Sequence, residues 1–87
     1  MTAAAILVLS FAPADDGRGR AERLVEDLLV EHDLGEHVGG GQDLVTGDFD
    51  LEVATTDAER LLKELKKSLA AEPELALKDA VLIERSQ

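Results

Sequence analysis

The strongest apolar run, Ala3 to Phe11, sets the main constraint on what this chain can fold into. Its nine residues fall far short of the roughly 20 that span a bilayer as a helix. No membrane-spanning segment is expected. With β-branched residues at its centre, the run predicts a strand covered on one face and at least partly on the other. Ala12-Pro13-Ala14 follows it, the small-residue pattern of a signal-peptide cleavage site. The basic segment that should open a signal peptide is lacking, so a mature strand is the expectation. A chain of 87 residues buries only roughly 60 to 65% of its unfolded surface. This strand must therefore share one core with every other element, in a single domain over residues 1–87. At 45% apolar residues the chain lies outside the composition of intrinsic disorder, despite 32% charged residues. With no cysteine, a disulfide framework, a thiolate metal site and a cysteine nucleophile are all excluded.

Beyond Phe11, Pro13 ends the strand and Asp15-Asp-Gly-Arg-Gly19 reads as a loop. From Arg20, apolar residues fall at Ala21, Leu24, Val25, Leu28 and Leu29, the spacing of an amphipathic helix. Gly35 is placed to end it in a left-handed cap. The period then changes to two. Phe49, Leu51 and Val53 alternate with Asp48, Asp50 and Glu52, which predicts a half-buried strand. A tight turn at Thr46-Gly47 would pair Leu44 with Phe49, Asp43 with Asp50 and Val38 with Thr55. Gly39-Gly40-Gly41 lies within that partner strand, where glycine marks a bulge or a close backbone approach.

Thr56 and Glu59 form a capping-box pattern ahead of a second apolar stripe, Ala58, Leu61, Leu62, Leu65 and Leu69. Lys63, Lys66 and Lys67 complement the dipole of that helix, and Pro73 closes it. Leu75 to Glu84 supplies a last strand, with Leu77, Val81 and Ile83 on one face and Ala80 and Leu82 on the other. The predicted class is α+β, in the order βαββαβ. Right-handed crossovers turn that order into a ferredoxin-like, four-stranded antiparallel sheet with two helices on one face. The apolar run and the alternating strand occupy its centre.

The stretch Val38-Gly-Gly-Gly-Gln-Asp-Leu-Val-Thr-Gly-Asp-Phe-Asp-Leu-Glu-Val53 resembles small bacterial ferredoxin-like proteins with a glycine-rich hairpin before an acidic strand. The resemblance implies an immunity-type role, that of a toxin-neutralising partner. It brings no catalytic residue with it.

Net charge is −10, but it is unevenly placed. Residues 1–21 are neutral and residues 60–87 carry +1, whereas residues 22–59 hold twelve acids against Arg23 alone. A single-sign field of this kind speeds encounter with a basic protein and repels nucleic acid and anionic membranes. In the expected register Asp43, Asp48, Asp50 and Glu52 share the sheet face away from the helices, with Asp43 directly opposite Asp50. Like charges so placed destabilise unless something binds them. These four, with Glu31 and Glu36, are the candidate partner-binding residues.

No catalytic site is expected. Carboxylates on so cleanly alternating a strand stand in water, where none acquires the raised pKa of a general acid. Ser10 lacks a base, and His32 and His37 fit no metal-ligand spacing. No calcium-loop spacing occurs either, so neither metal nor cofactor is expected. Two inward phenylalanines leave the open sheet without the stacking aromatics of an RNA-binding surface.

Two functional classes fit these features. The first is a cytoplasmic inhibitory module whose acidic half docks a basic protein, such as a toxin domain. The second is a dimeric regulatory domain binding a small molecule near the loop after the first strand. Only the second needs Arg18, Arg20 and Arg23. A homodimer is expected through Ile6, Val8 and Leu82 on the open face, or through the glycine-rich edge.

Overall fold

The computed structural model describes residues 5–83. Six elements follow one another: β1 (Ala5–Phe11), α1 (Gly17–His32), β2 (Gly35–Gln42), β3 (Phe49–Thr55), α2 (Ala58–Leu69) and β4 (Leu77–Ile83). The chain is α+β, and its strands form one antiparallel sheet in the order β2-β3-β1-β4. The apolar run and the alternating strand are adjacent and central, as their composition predicts. Ala3, Ala4 and Glu84, expected within the first and last strands, lie outside the described residues.

One face of the central pair carries the core. Leu7, Leu9 and Phe11 of β1 and Phe49, Leu51 and Val53 of β3 are buried together with Ala21, Val25, Leu28 and Leu29 of α1 and Leu61 and Leu65 of α2. The chain's two aromatic residues meet here. Phe11 pairs with Phe49 across the strands, their rings stacked with centroids 5.1 Å apart. Aromatic pairs of this kind add about 0.5–1.5 kcal/mol beyond their area burial. Gly17 lets the first turn of α1 close over the stack, since a side chain there would press on the Phe49 ring.

The caps differ from their sequence signals. The left-handed residue after α1 is Asp33, φ 53°, and not Gly35. The amides of Asp33 and Leu34 both donate to the carbonyl of Leu29, which closes the helix two residues early. Gly35 instead opens β2 at φ 138°, where a Cβ would collide with the carbonyl oxygen of Ala54. At the start of α2 the cap is Asp57, whose carboxylate accepts from the Arg60 amide at 3.1 Å, one residue beyond the expected Thr56. Thr55, buried, donates to the Leu34 carbonyl at 2.7 Å and accepts from the Asp57 amide at 3.1 Å. One hydroxyl thus joins the exit of α1 to the entry of α2.

The hairpin register also differs. Gly41 lies opposite Asp50 and Gln42 opposite Phe49, so the strands are shifted by two residues from the expected pairing. The connection is a six-residue loop, Asp43 to Asp48, and not a turn of two. A bulge at Val38 shifts the ladder again, so that Gly35, and not Val38, faces Thr55. At Gly40 the two strands approach so closely that a Cβ would strike the Asp50 carbonyl oxygen.

A second bulge lies in β4. Phe11 pairs with Leu77 and Ser10 with Asp79, leaving Lys78 as the extra residue. Two residues against one reverse the expected facing of this strand. Ala80 and Leu82 pair with Leu9 and Leu7 on the helix side, whereas Val81 and Ile83 pair with Val8 and Ile6 on the open face. Leu82 therefore leaves the predicted apolar patch, and Val81 and Ile83 enter it.

The glycines of β2 separate by environment. Gly35→Ala should destabilise by at least about 2 kcal/mol, from the left-handed backbone penalty plus the collision with Ala54. Gly41→Ala, with nothing within 4 Å of the new methyl, should be neutral or stabilising by up to about 1 kcal/mol. Urea denaturation of both variants measures the contrast.

Candidate interaction site at the hairpin end of the open sheet face

Ser10 sits at the middle of a row across three strands. It pairs with Asp50 of β3 on one side and Asp79 of β4 on the other. With strands spaced about 4.8 Å apart, these two carboxylates flank a neutral hydroxyl at a separation of about 10 Å. The β2–β3 loop folds over one end of the row and brings Asp43 and Asp48. Together with Lys78 these residues line an open depression of about 490 Å³.

The loop has a built shape. The Asp43 carboxylate accepts from the amides of Val45 at 2.8 Å and Thr46 at 3.2 Å, and the Thr46 hydroxyl accepts from the Asp48 amide at 3.2 Å. Backbone bonds from Asp43 to Asp48 and from Gly47 to Asp43, each 2.8 Å, close the base. Gly47 supplies the left-handed residue, φ 82°. The amide of Val45 first, and that of Thr46 second, hold the Asp43 carboxyl below the usual carboxylate range. Leu44 and Val45 occupy the tip and are each 94% exposed.

Lys78 is held in the depression by Asp48, 2.6 Å away. The hydrogen bond to that carboxylate, and then its charge, raise the lysine above its ordinary value. Asp43, Asp50 and Asp79 have no Lys or Arg partner among the described residues. The cluster is thus four carboxylates around one ammonium, and only one of the four is neutralised.

Of the six residues singled out from sequence, Asp43, Asp48 and Asp50 come together here. Asp43 does so as the internal clamp of the loop and not as a cross-strand neighbour of Asp50. Glu52 is exposed on the same face, beside Gly39 of β2. Glu31 and Glu36 are exposed elsewhere, on α1 and on β2. Ser10, Lys78 and Asp79 complete the depression without having been anticipated. A strictly alternating β4 sends Lys78 and Asp79 to opposite faces, and nothing local in the sequence marks the bulge that joins them.

The arginines of the regulatory alternative are engaged within the chain. Arg20 reaches Glu72 at 2.9 Å and Glu74 at 3.2 Å, Arg18 lies 3.7 Å from Glu22, and Arg23 lies 3.6 Å from Asp16. Asp16 also lies against Gly19 in the first turn of α1, placing a carboxylate where an anionic ligand would approach. The histidines part company. His32 lies between α1 and α2, 3.4 Å from Arg60 and 3.9 Å from Glu64. His37 faces α1, its Nε2 donating to the Gly39 carbonyl at 2.8 Å and its Nδ1 3.2 Å from Glu26. Among the described residues no group of three or more His, Cys, Asp or Glu has metal-holding geometry, and no helix is long and apolar enough to cross a membrane. No protein-family model matches the chain, and no curated protein or solved structure matches it significantly.

The clamp role of Asp43 sets a pH dependence. A carboxyl depressed in the folded state adds stability that is fully present above the ordinary carboxylate value of about 3.9 and is lost as pH falls through the lower, folded value. Asp43→Asn keeps an acceptor oxygen but removes the charge. Its stability should therefore fall less than wild type as pH drops below about 4. Asp43→Ala should open the loop, seen as faster amide exchange at Val45 and Thr46. Parallel acid titrations of wild type and the Asn variant that superimpose would contradict the clamp.

Proposed function

We propose that this chain is a small, non-catalytic binding module, built on the ferredoxin-like plan, that neutralises or regulates a basic protein partner such as a toxin domain in the cytoplasm. The strand order β2-β3-β1-β4, with a helix on each crossover, supports that plan. The observation that carries the function is the depression in which Asp43, Asp48, Asp50 and Asp79 surround Lys78 alone. Three carboxylates without a basic partner on one face invite arginine or lysine from outside, where bidentate pairing is strongest. What weighs against the regulatory alternative is that Arg18, Arg20 and Arg23 face carboxylates of the same chain.

Since Asp43 shapes the loop, the decisive reversal is Asp50→Lys with Glu52→Lys, neither of which makes a side-chain hydrogen bond or ion pair among the described residues. Binding of a decalysine probe at low salt should weaken roughly tenfold, the low end of electrostatic steering. Asp27→Lys with Glu59→Lys makes the same charge change away from the depression and should weaken it far less. The gap should close toward 1 M salt, as the Debye length falls from about 10 Å at 0.1 M to about 3 Å. Equal losses in both variants would leave only total charge, and with it a solubilising surface.

The same module pairs with a second copy through the other end of the open face. Val81 and Ile83, 47% and 51% exposed, stand beside Val8 and Ile6 there, in a patch outside the acidic depression, with Glu52 opposite Val8 at its margin. Light scattering at micromolar concentration should give twice the chain mass, and Val81→Asp should return it to one chain. A single-chain mass for wild type would remove the dimer.

A further inference from the structure

We infer that the free edge of β2 is a docking strand for an extended segment of the partner in which basic and apolar side chains alternate. The partner's basic character rests on the proposal above; the docking mode stands on separate observations. Among the described residues β2 has β3 on one side and no strand on the other. An exposed edge is ordinarily guarded by lysine, proline or a bulge. Gly35–Gln42 contains neither lysine nor proline, and its single bulge at Val38 leaves Gly39–Gln42 as an unguarded run. Three of those four residues are glycines, so no side chain stands over the edge, and the position of a Cβ at Gly41 is empty to 4 Å.

Apolar and acidic groups frame this edge. Four of the seven large apolar side chains exposed among the described residues flank it: Val38 on the strand, Val30 on α1 at 84%, and Leu44 and Val45 just past the end of the strand. A groove of about 280 Å³ between α1 and β2 is lined by Leu29, Val30 and Gly35, with Glu26, Glu36 and His37 at its polar side. Glu22 and Glu26 of α1 reach His37 of β2 at 3.8 and 3.2 Å, and Arg23, the one base in this stretch of the helix, is turned to Asp16. The edge therefore meets positive charge favourably along its length.

Strand addition joins these features. Backbone bonds to the Gly39–Gln42 run would give affinity, and alternate side chains would point to opposite sheet faces. Those on the open side would approach Glu52, which lies beside Gly39, and the flank of the segment that runs on past Val38 would reach the groove against Leu29 and Val30. The kink at Val38, fixed by the bond from His37 to the Gly39 carbonyl, limits pairing to a short segment and so favours a weak, reversible complex.

The test is an NMR titration of the intact chain with a capped heptapeptide alternating lysine and valine. A control peptide of the same composition carries N-methyl groups on its valines, which keeps charge and apolar surface but removes one edge of hydrogen bonds. The expected result is amide shifts at Gly39, Gly41 and Val30, slowed exchange along β2, and at least fivefold weaker binding of the N-methyl peptide. Gly41→Lys, which fills open space and guards the edge, should weaken the unmodified peptide similarly while leaving the other shifts of the fold in place. Equal binding of both peptides, or shifts confined to Asp43, Asp48, Asp50 and Asp79, would overturn strand addition while leaving the acidic-surface proposal standing. No binding of either peptide at low salt would overturn both.

Discussion

The β1–β3 pair is the interaction on which the rest of the structure depends. Its seven paired positions place Leu7, Leu9, Phe11, Phe49, Leu51 and Val53 on one side, and the buried apolar residues of both helices join them in one core cluster. The Phe11–Phe49 stack anchors one end of the pair, beneath the first turn of α1. The other end is closed by Thr55, whose hydroxyl ties the exit of α1 to the entry of α2. In so small a domain these contacts are not interchangeable. With little surface to bury, no second cluster can compensate for a defect in the first.

The same pair determines what the opposite face can do. Because strand side chains alternate, fixing the core residues inward sends Ile6, Val8 and Ser10 of β1 and Asp50, Glu52 and Ala54 of β3 outward. That face is consequently divided along its length, apolar at one end and carboxylate-rich at the other. Repulsion in the acidic end is moderated in three ways. Ser10 separates Asp50 from Asp79, Lys78 neutralises Asp48, and Asp43 turns inward to the amides of its own loop. The remaining charge is tolerated because it is solvated, and it stays available to a ligand for the same reason.

The hairpin shows where sequence reasoning reached its limit. The acidic strand and the glycine-rich segment were both legible, and Asp43, Asp48 and Asp50 do gather at one site. Their arrangement was not legible, because a two-residue slip along the hairpin exchanges each partner for another on the same face and leaves the apolar face of β3 intact. Alternation therefore carries no information about that slip. It was decided by the Asp43 side chain, which closes a six-residue loop, and by Gly47, which accepts its left-handed turn. The mistaken helix caps have a similar origin. Asp33 and Asp57 compete with Gly35 and Thr56 within two residues, and the choice falls to whichever position also satisfies its tertiary neighbours.

By itself the sequence determined the elements, their order and the buried faces of β1, β3 and both helices, because periods of 2 and 3.6 are local records of which side meets the core. It also determined the concentration of acid in residues 22–59. Only the tertiary structure decided the hairpin register, the bulges at Val38 and Lys78, the exchange of Leu82 for Val81 and Ile83 on the open face, and the entry of Ser10, Lys78 and Asp79 into the acidic depression. A bulge depends on how one strand lies against another, and inserting a single unpaired residue reverses the facing of every later residue in the strand. No pattern within one strand encodes that, because the residue that becomes extra is defined only once its partner is in place.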